Sequence, residues 1–152
     1  MSTLLGFPSM AAPPRSMETW ATLHRAHARV LGELSRRMEA EREVSVLEHG
    51  CLFELSSAPQ RTTRMAALAD RLGISPSSLT RLVDRLEERG WAQRESPPEN
   101  RRTIEVVITA DGLRAYMQNN RPFVRAVDEL IAARLSDGEM QELIGLLERL
   151  RS

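Results

Sequence analysis

A helix stop and a helix start stand two residues apart near the middle of this chain. Gly73 closes an apolar-periodic run, because glycine takes the left-handed backbone that ends a helix at no steric cost. Ser75 then offers a side-chain oxygen to the free N–H groups of a new helix, and Pro76 suits its first turn, where a missing N–H costs nothing. The spacing predicts a short helix capped by Thr63, with Met65, Leu68, Ala69 and Leu72 inward. A second helix is expected from Ser75 to Arg89, ended by Gly90. Beyond it the apolar period changes from helical to alternating. Trp91–Glu95 and Ile104–Thr109 read as two strands, with residues 96–103 as the tip of a long hairpin.

Other elements flank this unit. Trp20, Leu23, His24, His27, Val30, Leu31, Leu34 and Met38 recur at three- and four-residue steps, predicting a long helix from Met17 to Arg42. Ser45 and Glu48 have capping-box spacing and open a helix with Leu47, Cys51 and Leu55 on its inner face, stopping before Pro59. Thr109 caps a further helix carrying Leu113, Tyr116, Met117, Phe123, Val127, Leu130 and Ile131, which Pro122 should kink or interrupt. Ser136 and Glu139 form a second capping box before Met140, Leu143, Ile144, Leu147 and Leu150. The order is α-α-α-α-β-β-α-α: mainly α with a small β-hairpin, a winged helix-turn-helix between terminal helices. The expected organisation is a flexible arm over 1–16, a linking and dimerisation helix over 17–44, a winged domain over 45–110 and dimerisation helices over 111–152.

The 152 residues can bury a core without metal or disulfides. Cys51 is the sole cysteine, which excludes an internal disulfide framework and fits a reducing compartment. No apolar run reaches the roughly 20 residues that span a bilayer, and the start lacks a signal-peptide pattern, so the chain reads as cytoplasmic with no membrane partner. Net charge is zero, but residues 61–102 hold nine Arg against six acids. A basic middle between slightly acidic ends suits one face that meets phosphate.

On the Ser75–Arg89 helix, Leu79, Leu82, Val83 and Leu86 cluster on one side at 100° per residue. The other side begins with small hydroxyls and arginine: Ser75, Ser77, Ser78, Thr80, Arg81 and Arg85, with its acids toward the C-terminal end. Small residues let such a helix lie deep in a major groove, and an exposed Arg can bond guanine O6 and N7 together. A plain solvated helix would share this pattern; the turn before it and the hairpin after it favour double-stranded DNA. At the hairpin tip, Asn100, Arg101 and Arg102 are placed for a minor groove, the alternative being a solvated basic loop.

These residues resemble the MarR-type transcriptional regulators, named for multiple antibiotic resistance. The resemblance lies in Met65–Gly90, Glu99–Arg102 and Ile108–Gly112, with element order matching from Met17 onward. It implies a triangular homodimer with interlocked N- and C-terminal helices, reading a pseudo-palindromic operator, most often as a repressor. It places Ser77, Ser78, Thr80, Arg81 and Arg85 on the groove-reading helix and Arg102 at the wing arginine. The family's usual wing Asp is Asn100 here, which removes a charge-assisted pair. Arg64-Met65 and the leading arm resemble the branch that responds to urate and other aromatic acids.

The apolar stripe of the last helix exceeds what a small winged domain can cover, so packing between two copies is expected, with pairing to the first helix of the same chain as the alternative. In the family, effectors sit between the dimer helices and the DNA-binding lobe. Trp20, His24, His27, Tyr116 and Met117 are the candidate contacts for a small aromatic or phenolic ligand, core or dimer packing being the competing role. His24 and His27 lack the further ligands a metal site needs, and Cys51 lies on an inner face where a thiol is usually inert. No cofactor motif and no catalytic constellation is present, so an enzyme is not expected. A winged-helix protein-interaction module without DNA binding or ligand response is the alternative function.

Overall fold

Ser45 and Glu48 cap each other as expected. The Glu48 N–H donates to Ser45 Oγ at 3.2 Å and the Ser45 N–H to Glu48 Oε2 at 2.9 Å. This box starts α2 (Val46–Ser57), which follows α1 (Arg15–Arg42). The computed structural model describes residues 14–42, 44–98, 100 and 102–151. Most of the expected arm lies outside the described residues, and Arg15 and Ser16 belong to α1 instead. The Met17 and Glu18 N–H groups bond the Pro14 carbonyl, which extends the first turn back past the apolar stripe.

A 3₁₀ turn at Pro59–Arg61 leads into β1 (Thr62–Arg64), then α3 (Met65–Leu72) and α4 (Pro76–Glu88). Here one expectation is overturned. Thr63 is a buried strand residue, and the residue before α3 is Arg64, with no side-chain cap bond. A three-residue strand shows no readable alternation, and it exists only because β3 lies beside it. Gln60 and Arg61 take positive φ (54° and 59°) to turn the chain into that strand. The stop and start behave as read. Gly73 is left-handed (φ 63°, ψ 33°), and the Ile74 N–H reaches back to the Ala69 carbonyl at 3.1 Å. Ser75 Oγ accepts from the Ser78 N–H at 3.2 Å.

The hairpin is β2 (Ala92–Glu95) and β3 (Glu105–Ile108). The sheet is antiparallel in the order β1-β3-β2, with Thr63 opposite Val106 and Ala92 opposite Ile108. Hence the wing has three strands rather than two. Thr109 Oγ1 donates to the Gly90 carbonyl at 2.6 Å and accepts from the Gly112 N–H at 3.0 Å, so one hydroxyl joins the end of the wing to the start of the next helix. A Cβ at Gly112 would collide with the Trp91 carbonyl, so that junction needs glycine.

That helix, α5 (Ala110–Leu130), is continuous through Pro122, so of the expected kink or interruption the interruption does not occur. Its packed face, including Ala115, Asn119 and Ala126, is buried, which holds the helix on both sides of the missing N–H. Phe123 stacks on His49 of α2 at 4.1 Å, and Tyr116 tilts against the same ring at 5.4 Å. The second capping box forms before α6 (Asp137–Arg151), with the Ser136 N–H on Glu139 Oε2 at 2.8 Å.

The core gathers Cys51, Leu52, Leu55, Leu68, Leu79, Leu82, Val83, Leu86 and Val106, each no more than 1% exposed. Burying each leucine contributes about 1.5–3 kcal/mol, enough to seat α4 firmly and leave its other side outward. The terminal helices are unlike this. Trp20 is 60% exposed, and Leu143, Ile144, Leu147 and Leu150 are all exposed, so of the α1 stripe only Leu34 and Met38 are buried. Among the described residues, no helix is long and apolar enough to cross a membrane.

Candidate nucleic-acid interface

The buried side of α4 determines what its other side can do. Because Leu79, Leu82, Val83 and Leu86 are held inward, Ser77, Thr80, Arg81 and Arg85 must point away from the core, and all four are exposed. Ser75 and Ser78 sit at the same end but spend their hydroxyls locally. Ser75 Oγ donates to Ser78 Oγ at 2.9 Å while receiving the Ser78 N–H. They shape the helix start, and Ser77, the more exposed of the neighbouring hydroxyls on α4, also lies 3.1 Å from Ser75 Oγ. Thr80 bonds back to the Pro76 carbonyl at 3.0 Å.

The two arginines differ. Arg81 is exposed, and its guanidinium makes no ion pair among the described residues. Arg85 leans back to the Arg81 carbonyl at 3.3 Å and stands 3.7 Å from the buried Glu48 of α2. Arg81 is therefore the less engaged of the two cations, and Arg85 is partly held by the protein.

At the wing, Asn100 Oδ1 accepts the Arg102 backbone N–H at 3.2 Å, and the Thr103 N–H closes on the Asn100 carbonyl at 3.0 Å. The asparagine thus shapes the tip through the backbone and leaves the Arg102 side chain exposed. Arg101 lies outside the described residues. Arg102 also borders a cavity of about 530 Å³ between the wing and the starts of α3 and α4, shared with Arg64, Met65, Thr80 and Ile104. The start of α4 and the wing arginine are therefore neighbours on one surface.

Arg94 is a residue joining the wing to α4 that sequence reasoning missed. From β2 it reaches Asp84 at 2.7 Å, Glu87 and the Thr80 carbonyl at 3.1 Å. The signal was present in an exposed strand Arg opposite a helix bearing acids, but the pairing needs the wing folded against α4.

The expected effector residues fall into two groups. Trp20 and His24 stack on each other at 5.7 Å on exposed α1, with His27 exposed one turn further on. Tyr116 is packed beside His49 and Phe53, while Met117 is exposed. Met117 lines a cavity of about 590 Å³ with Arg37, Met38, Gln118, Arg121, Pro122, Arg125, Ala126 and Glu129. The eighteen steps from Trp20 to Met38 span about 27 Å of helix, so one protomer does not bring the two groups together. The cavity arginines Arg37, Arg121 and Arg125 also escaped the sequence reading, since only the crossing of α1 and α5 assembles them. Glu129 holds Arg37 at 2.7 Å and Arg125 at 3.1 Å across its mouth. These bonds draw the Glu129 carboxyl below its ordinary range.

Two buried groups remain. Burial, aided by Glu54 and Glu48, pushes the Cys51 thiol up to about 12, so it is not a thiolate near neutrality. Burial lowers the pKa of His49, whose Nε2 has no hydrogen-bond partner among the described residues. Among the described residues, no group of three or more His, Cys, Asp or Glu could hold a metal ion.

Residues 43–103 match the model of the MarR family. The chain is 30% identical over 128 residues to a protein of Thauera aromatica named for regulation of its hcr operon, covering 84% of this chain and 75% of that one. It is also 30% identical to the HTH-type transcriptional repressor Rv2887 of Mycobacterium tuberculosis, over 69% of this chain and 73% of that one. Its fold matches Sco3205, a MarR family transcriptional regulator of Streptomyces coelicolor solved in complex with DNA. That match has a TM-score of 0.81 and 26% identity, over 95% of this chain and 90% of the other. With an exposed, arginine-bearing α4 on a buried apolar base, beside a wing, this chain belongs to the MarR family of DNA-binding transcriptional regulators and is not an enzyme.

Proposed function

We propose that this regulator reads a pseudo-palindromic operator as a cytoplasmic homodimer, acts as a repressor, and is released by a small aromatic or phenolic acid. The observation that carries the reading is the outward face of α4. Ser77 and Arg81 stand exposed on a helix whose opposite side is fully buried, with Arg102 beside it on the wing. The exposed apolar stripes of α1 and α6 support a second copy as their cover, since a two-fold pair would bury both and present two α4 helices. Such a pair reads half-sites about 34–36 Å apart.

Ligand response is best supported at the cavity between α1 and α5. Met38, Met117, Pro122 and Ala126 give it apolar walls, and Arg37, Arg121 and Arg125 supply cations for a carboxylate. Trp20, His24 and His27 would reach such a ligand only from the other copy of a dimer.

Selection of duplexes from a random library tests the DNA assignment. Arg81→Ala should lower affinity for the selected duplex by about 1–3 kcal/mol and relax base preference. Arg102→Ala should weaken binding more evenly and reduce the salt slope by about 1. Unchanged affinity in both variants removes the assignment. For the ligand, salicylate and benzoate should raise the melting temperature and release the duplex in the unaltered protein but not in Arg121→Ala.

A further inference from the structure

The recognition helix carries a charge problem. Within Pro76–Glu88 there are two arginines, Arg81 and Arg85, against three acids, Asp84, Glu87 and Glu88. A helix of net charge −1 laid on a polyanion would be repelled along its C-terminal half. Arg85 eases this little, since it is drawn toward Glu48 at 3.7 Å.

We propose that Arg94 is the positioning residue that lets α4 approach DNA, by masking Asp84 and Glu87 while locking the wing to the helix. It touches no DNA in this role. Its backbone is fixed by the strand register, opposite Val106 of β3, and its N–H donates to Glu87 Oε1 at 2.7 Å. Its guanidinium then meets Asp84 Oδ1 at 2.7 Å, Glu87 Oε2, and the Thr80 carbonyl at 3.1 Å. Thr80, Asp84 and Glu87 follow at four- and three-residue steps, so they form the single α4 face turned toward the wing strand. A planar guanidinium can serve three acceptors in different directions at once, whereas an ammonium of the same charge cannot hold that fork. Arg94 is only 24% exposed, whereas Asp84 is 51% and Glu87 33% exposed, so the pair with Glu87 is the better shielded of the two. One residue thus couples two DNA-facing elements, engages both carboxylates and offsets one unit of their negative charge, which brings α4 and its wing partner from −1 to zero.

The inference rests on the DNA-reading assignment, and the two can fail separately. If the unaltered protein retains no duplex, or Arg81→Ala and Arg102→Ala both leave binding unchanged, the assignment itself is lost before any Arg94 variant is made. The test is a double-mutant cycle, using fluorescence anisotropy on a labelled duplex selected by the unaltered protein. Arg94→Met should weaken binding at least tenfold in the native background. In the Asp84→Asn, Glu87→Gln background, with no acids left to mask, the same change should cost less than threefold. An equal loss in both backgrounds means that Arg94 packs or touches DNA itself and overturns the proposal, as does no loss in the native background. Circular dichroism checks that each variant is folded. If Arg94→Met melts, Arg94→Gln repeats the cycle, since it drops the charge and keeps a donor for the Thr80 carbonyl.

Discussion

His49 is held in a place where a proton is unwelcome. It is 3% exposed, stacked on Phe123, with Nε2 unpartnered among the described residues. Burial lowers its folded pKa from the ordinary 6.5, so the unfolded chain binds more protons on the acid side of neutrality. Stability should therefore be full above about pH 6.5 and fall as pH drops through 6.5 toward the lower folded pKa. Melting between pH 7.5 and 5.5 should show this drop, and His49→Phe should flatten it. Glu33, Glu129 and Glu139 add a loss of the same sign only below their ordinary 4.5, which keeps the two windows apart. Cys51 behaves differently from an exposed thiol. With its pKa near 12 and no exposure, it should resist iodoacetamide in the native protein at pH 7.5 and react only after unfolding. Labelling of the folded protein at the rate of a free thiol would contradict that burial. The position of Cys51 on an inner face was legible from helical period alone. The orphaned ring of His49 was not, because its neighbours come from α5, more than sixty residues away in the chain.

Among the elements, those built from local signals were readable. Ser45, Ser75, Thr109 and Ser136 each cap the helix their positions announced, because a cap bond spans only three residues. Ser75→Ala should cost roughly 1 kcal/mol of folding stability, by the lost bond to the Ser78 N–H. Urea denaturation would measure it, and Ser77→Ala, which caps nothing, should change stability much less. β1 and the path of α5 through Pro122 were not readable. Thr62–Arg64 is a strand only by pairing with Glu105–Val107 on another segment. Pro122 would break an isolated helix, but here tertiary packing keeps α5 continuous on both sides.

For the whole molecule, the uncovered apolar faces are the main energetic fact. Leu143, Ile144, Leu146, Leu147 and Leu150 are 37–70% exposed on α6, and Met17 and Trp20 exceed half exposure on α1. Sedimentation equilibrium should find a dimer at micromolar concentration. Leu143→Asp with Leu147→Asp should shift it to monomer and weaken binding to the selected duplex, since a lone recognition helix reads only a half-site. A dimer that persists in that variant would place the interface elsewhere.

Period, caps and turn residues by themselves determined the helix-turn-helix, the wing and the outward face bearing Ser77, Arg81 and Arg102, because each depends on residues within one or two helical turns. Tertiary structure alone decided the third strand, the Arg37–Arg121–Arg125 cavity and the engagement of Asp84 and Glu87 by Arg94. Those arise where segments far apart in the chain meet, and a local pattern holds no information about which charge will stand opposite another.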